Sequence, residues 1–79
     1  MLGETIVTIG RLADCTLVID DPNVSRTHAE IRPHGTGFRL VDLASTNGTR
    51  LNGERIAERQ LSDGDRIEVG SIVVRFQAS

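Results

Sequence analysis

Lysine is absent from all 79 residues, so each of the nine basic side chains is an arginine. A phosphate-binding P-loop needs a Gly-Lys pair and is excluded. A single cysteine, Cys15, excludes an internal disulfide framework and any multi-cysteine zinc site. His28 and His34 flank one expected strand with no third ligand, so neither a metal nor a cofactor is expected. There is no Trp or Tyr and only two Phe, and nine Arg are outnumbered by eleven Asp and Glu, for a net charge of −2. A general nucleic-acid binder needs a basic face and stacking aromatics, so nucleic acid is not an expected partner. No apolar run approaches a membrane span and no basic amphipathic helix is present, which argues against direct membrane binding. Met1 opens no segment resembling a secretory signal, and the expected location is the cytoplasm.

What the chain does contain is turns and β-branched residues. Asp20-Asp21-Pro22-Asn23, Gly35-Thr36-Gly37, Asn47-Gly48, Asn52-Gly53, Asp63-Gly64-Asp65 and Gly70-Ser71 divide it into segments too short for ordinary helices. Seven Val and seven Ile populate those segments, several at period two. Ile72, Val74 and Phe76 alternate with Arg75 and Gln77. Ile67 and Val69 alternate with Arg66 and Glu68, and Ala29 and Ile31 with Glu30 and Arg32. Phe38 and Leu40 alternate with Arg39 and Val41, and Thr5–Ile9 reads as a strand ending at Gly10. Asn52-Gly53 predicts a type I′ hairpin. Glu54–Leu61 reads as a strand followed by a loop. The expectation is one all-β domain over residues 1–79, an antiparallel β-sandwich.

The residues with chemical potential gather at the expected strand ends. Gly10-Arg11 closes the first strand, Ser25-Arg26-Thr27-His28 opens another, and Ser45-Thr46-Asn47-Gly48-Thr49 forms a loop after Asp42-Leu43. A sandwich clusters its loops at two ends, so three loops can converge on one apex. Two guanidiniums, the hydroxyls of Ser25 and Thr46, and an amide able both to donate and to accept suit a phosphorylated peptide. Ser25 and His28 lack the rest of a nucleophile–base–oxyanion set, so no enzymatic activity is expected.

The ordered set Gly10-Arg11, Ser25-x-x-His28, Ser45-x-Asn47-Gly48-Thr49, Asn52-Gly53, Leu61-x-Asp63-Gly64-Asp65-x-Ile67 and Gly70 resembles the forkhead-associated (FHA) domain over nearly the whole chain. The resemblance implies a sandwich of two twisted sheets that binds phosphothreonine in partner proteins, as an adaptor in Ser/Thr kinase signalling. It implies phosphate ligation by Arg11 and Ser25, further phosphate contacts from Arg26 and Thr46, and a hold on the peptide main chain by Asn47. Asn23 and Arg50 fall on loops that in similar domains read residues C-terminal to the phosphothreonine. Gly10, His28, Gly48, Asn52 and Gly53 are expected to support the loops, the glycines and Asn52 through turn geometry.

The implied partner is a phosphothreonine-containing protein, a Ser/Thr kinase or its substrate. An assembly module that binds through a sheet face is the alternative, but it has no use for Arg11, Ser25 and Asn47 together. Family members usually carry a strand or two before the one ending in Gly-Arg, whereas only Met1–Glu4 precede it here, either in a trimmed fragment or in a short member. An incomplete sheet edge at Ile6, Val7 and Ile9, matched by the apolar strand Ile72–Phe76, is therefore expected to favour self-association.

Overall fold

The computed structural model describes residues 6–77, so Met1–Glu4 and Thr5, the start of the expected first strand, lie outside the described residues. Nine strands follow in order: β1 (Val7–Gly10), β2 (Leu17–Val18), β3 (Ala29–His34), β4 (Gly37–Asp42), β5 (Thr49–Leu51), β6 (Glu54–Ile56), β7 (Glu58–Gln60), β8 (Arg66–Val69) and β9 (Ile72–Arg75). They form a five-stranded sheet in the order β2-β1-β3-β4-β7 and a four-stranded sheet in the order β6-β5-β8-β9. This is the expected β-sandwich.

The period-two pattern sets which residues meet inside. On the first sheet the register aligns Ile9, Ala29 and Asp42 in one row and Val7, Ile31 and Leu40 in the next. On the second, Ile56, Thr49, Val69 and Ile72 share a row, as do Leu51, Ile67 and Val74. Ile9, Ala29 and Leu40 meet Leu51, Ile56, Ile67 and Val69 between the sheets, joined by Ile19, Val24 and Leu61 from the loops. Phe38 and Phe76 pack edge to face at one margin, with ring centroids 5.7 Å apart. At Asn52-Gly53 the backbone angles φ of 53° and 87° are those of the expected type I′ turn.

Three details differ from the sequence reading. Glu54–Leu61 is not a strand and a loop but two strands, β6 and β7, which belong to different sheets and cross over at Ala57. Every residue of β7 is exposed, so it carries no apolar alternation to read; backbone pairing with β4 holds it. The sandwich is also not wholly antiparallel, because β2 pairs with β1 in parallel. Lastly, β1 is no sheet edge: it lies between β2 and β3, and the edges are β2, β7, β6 and β9. The expected edge at Ile72–Arg75 is present, with Val73 57% exposed.

Core and edge should respond differently to truncation. Ile67→Ala, at a fully buried site, should cost roughly 2–5 kcal/mol and lower the melting temperature by at least about 10 °C. Val73→Ala on the open edge should cost less than about 1 kcal/mol. Thermal unfolding followed by circular dichroism compares them; equal losses would show that the sandwich interior is not where stability resides.

Candidate functional site

The strand directions bring four connections to one end of the sandwich: those after β1, before β3, between β4 and β5, and between β8 and β9. The first two lock together through their backbones. Arg11 N–H donates to Ser25 C=O at 3.2 Å, and Leu12 N–H donates to Arg26 C=O at 3.3 Å. Gly10 permits this approach. A Cβ at that position would lie 2.2 Å from the Arg26 carbonyl oxygen, so its role is close packing rather than the turn geometry expected from sequence. Arg11 and Arg26 both remain exposed.

His28 joins these loops to the one between β4 and β5. Its ring is fully buried. Nδ1 accepts from the Ser25 N–H at 3.0 Å, and Nε2 lies 2.8 Å from the Gly48 carbonyl. A backbone N–H can only donate and a carbonyl can only accept, so the proton sits on Nε2. Gly48 has φ of 83°, and a Cβ there would meet the Arg55 Nε at 2.6 Å. The positive φ is what requires glycine, since the exposed Arg55 side chain could move aside.

Two further bonds tie the site residues to one another. Thr46 N–H donates to Ser25 Oγ at 3.0 Å, and Asn47 Nδ2 donates to the Asn23 carbonyl at 2.7 Å. Ser25 therefore keeps its own hydroxyl hydrogen for another acceptor, and Asn47 keeps Oδ1 and one amide hydrogen. Ser25, Thr46, Asn47 and Asn23 form one connected surface. Asn52 and Gly53 lie at the opposite end, where Asn52 Nδ2 donates to Asp65 and Asn52 Oδ1 accepts from Arg66 N–H. They support the β5–β6 turn and not the apex.

Two carboxylates that the sequence reading left without a role hold the apex in shape. Asp42 accepts from the Ser45 N–H, the Ser45 hydroxyl and the Thr49 hydroxyl. Burial pushes the Asp42 carboxyl up, but the bonds from Ser45 and Thr49 together outweigh it and hold it below the ordinary range. Asp21 accepts from the Ser71 hydroxyl, the Asn23 N–H and the Ser71 N–H, which lower its carboxyl too, and it thereby pins the β8–β9 turn against the Asn23 loop. An Asp two residues before an Asn on a turn is the signal that could have located Asp21.

Between these loops lies a cavity of about 220 Å³, lined by Asn23 and Asn47 on one side and Arg50, Glu68, Gly70 and Ser71 on the other, with Gly48 between. Arg50 therefore reaches this space. A larger hollow of about 420 Å³ lies on the outer face of the five-stranded sheet at Ile6, Arg32, Pro33, His34, Arg39, Val41 and Glu58. Its cations are already occupied: Arg32 pairs with Glu30 at 2.9 Å and Arg39 with Glu58 at 3.1 Å. Neither Arg11 nor Arg26 forms an ion pair among the described residues. The apex thus combines guanidiniums without an ion pair among the described residues, a hydroxyl hydrogen and an orienting amide, a donor set whose chemistry matches a dianion.

Comparison with known proteins agrees with this fold. The family model described as FHA domain matches residues 7–70. The glycogen accumulation regulator GarA of Mycobacterium tuberculosis is 37% identical over 76 residues, covering 96% of this chain and 47% of GarA. The chain thus spans about half the length of that curated relative. A solved structure concerned with phosphothreonine-dependent FHA domain interactions superposes with a TM-score of 0.91 at 41% identity, covering 96% of this chain and 79% of the other. Mycobacterium tuberculosis EmbR, solved in complex with a low-affinity phosphopeptide, gives a TM-score of 0.88 at 42% identity over 91% of this chain and 19% of EmbR.

His28→Ala should strand the Ser25 N–H and the Gly48 carbonyl and leave a cavity, costing roughly 3–5 kcal/mol by denaturant titration. A loss under about 1 kcal/mol would show that the loops hold without the imidazole. Because the Asp42 carboxyl is lowered in the fold, its contribution is present above the ordinary carboxylate value of about 4 and is lost as pH falls through the folded value. Melting temperatures measured from about pH 5 downward should therefore fall less steeply in Asp42→Asn, from a lower starting point; parallel curves would exclude Asp42 as a source of acid sensitivity.

Proposed function

This chain belongs to the FHA-domain family, and from that membership we propose that its apex binds phosphothreonine in partner proteins, making the domain a phosphorylation-dependent adaptor in Ser/Thr kinase signalling. Arg11 and Ser25 ligate the phosphate, and Arg26 and Thr46 add contacts to it. Asn47 holds the peptide main chain through Oδ1 and its remaining amide hydrogen. The observation that carries this reading is how the loop bonds are divided. Ser25 Oγ accepts from the Thr46 N–H and Asn47 Nδ2 donates to the Asn23 carbonyl, so each side chain is oriented by one group and offers another outward. Orientation before binding lowers the entropy lost on association.

Asn23 and Arg50 line the cavity beside Asn47 and read residues C-terminal to the phosphothreonine. The partner is a Ser/Thr kinase or one of its substrates, met in the cytoplasm, and the domain performs no chemistry on it. This fits relatives named as a regulator of glycogen accumulation and as an inhibitor of oxoglutarate dehydrogenase.

Phosphothreonine should be preferred over phosphoserine by about fourfold from one buried methyl, at roughly 0.8 kcal/mol, before any effect of χ1 restriction. A Glu substitute should bind poorly, since two coplanar oxygens and one charge leave donors unmatched. Arg11→Ala and Asn47→Ala should each weaken a phosphothreonine peptide by about 10- to 150-fold in titration calorimetry, Arg11→Ala with an unchanged melting temperature and Asn47→Ala with the small loss that follows from its bond to the Asn23 carbonyl. Both within twofold of the parent would overturn the assignment. Affinity should also decline as pH drops below about 6, where the phosphate takes up its second proton. The lowered Asp42 carboxyl stays ionised there, so loss of its bonds to Ser45 and Thr49 does not account for such a decline.

A further inference from the structure

Three of the nine arginines form ion pairs among the described residues: Arg32 with Glu30, Arg39 with Glu58, and Arg59 with Glu54. The other six are not scattered. Arg11 and Arg26 stand on the apex loops, and the remaining four, Arg50, Arg55, Arg66 and Arg75, are exposed on the four-stranded sheet. The register places all four on the same outer face. Arg50 is opposite both Arg55 and Glu68, and Arg66 is opposite Arg75, whereas the intervening Leu51, Ile56 and Ile67 point into the core. Four guanidiniums face one carboxylate, Glu68, in a chain whose net charge is −2. Like charges directly opposite one another, as at Arg50–Arg55 and Arg66–Arg75, destabilise a sheet. Arg32 and Arg39 are likewise opposite on the five-stranded sheet, but each pairs there with a glutamate, whereas the four arginines of this face form no ion pair among the described residues.

The face is continuous with the apex. Arg50 and Glu68 line the cavity beside Asn47, and the Arg55 guanidinium lies against Gly48, next to the Thr46-Asn47 loop. From Gly70 at the apex to Arg66 is four residues along one strand, about 13 Å at ~3.3 Å per residue, the reach of a similar length of extended peptide. We propose that the outer face of the four-stranded sheet is an electrostatic docking surface for an acidic segment flanking the phosphothreonine. This deepens the phosphothreonine reading and rests on it. Segment and phosphate bind as one ligand: the apex takes the dianion, Arg50 and Arg55 take acidic residues near it, and Arg66 and Arg75 take those farther along. A single-stranded nucleic acid is the poorer occupant because the face offers no ring for stacking; both Phe38 and Phe76 pack against the core.

Fluorescence anisotropy with the full chain and labelled peptides tests this. A short phosphothreonine peptide with neutral flanks is compared with versions extended by four acidic residues on either side, by four lysines, and with the acidic peptide unphosphorylated. At about 0.1 M salt, with a screening length of about 10 Å, one acidic extension should tighten binding about three- to tenfold. At about 1 M salt, where screening falls to about 3 Å, that gain should vanish. Arg66→Gln with Arg75→Gln should remove a clear part of the gain, leaving what Arg50 and Arg55 supply, while binding the short phosphopeptide like the parent. Arg66→Glu with Arg75→Glu should favour the lysine extension instead. If the short phosphopeptide binds but no extension helps, or the Gln variant keeps the whole gain, the docking surface is wrong and the phosphothreonine site stands. If a thymidine oligonucleotide binds and the Gln variant loses it, while acidic extensions do nothing, the face belongs to nucleic acid and the proposal falls. If no phosphopeptide binds at all, the apex reading fails and takes this one with it.

Discussion

The buried imidazole of His28 is the interaction on which the apex depends. It lies where the loop before β3, on the five-stranded sheet, meets the loop entering β5, on the four-stranded sheet, and bonds to the backbone of each. Each bond satisfies a main-chain group at the sandwich margin that would be costly to leave unpaired. Because one rigid ring spans both, the spacing between Ser25 and Gly48 follows from the ring's own dimensions. The Thr46–Ser25 and Asn47–Asn23 bonds then form between surfaces already in place. Cooperative networks of this kind favour a single arrangement over an ensemble.

Charge is organised with equal economy. The carboxylates at the apex, Asp21 and Asp42, are occupied by N–H and O–H donors from Asn23, Ser71, Ser45 and Thr49 rather than by arginine. Acidic side chains thus serve as acceptors for loop backbone, and the nearby guanidiniums stay uncompensated. Elsewhere three glutamates, Glu30, Glu54 and Glu58, neutralise arginines in surface pairs that contribute little to stability. A protein of modest negative net charge can in this way present a concentrated positive surface to a phosphate and to what lies beside it.

The strands with alternating apolar residues, β1, β3, β4, β8 and β9, were legible because one buried face imposes period two on the sequence. Asn52-Gly53 was legible because few other dipeptides adopt two successive positive φ values. The strands β2 and β7 were not, since their exposed residues contribute backbone pairing and no pattern. Arg11, Ser25, Thr46 and Asn47 stood out as candidates from order and spacing, and the turn at Asp21 was local, but the bonds Asp21 and Asp42 make across the apex were not legible. Asp21 reaches Ser71, 50 residues away, and no local motif encodes a partner that distant.

Residue order alone determined the all-β class and the set of polar residues available to the apex, because these follow from local turn chemistry and side-chain type, and the ordered motifs carried the resemblance to the family. Tertiary structure alone decided that β1 is an interior strand and that Gly10 is needed for the approach of Arg26. It also decided which arginines are neutralised. Glu54 and Arg59 pair across the sheet change at Ala57, while Arg50 and Glu68, directly opposite on neighbouring strands, form no ion pair among the described residues. Composition counts both cases alike. Whether a guanidinium is spent or free depends on the few ångströms between side chains that register and sheet packing set.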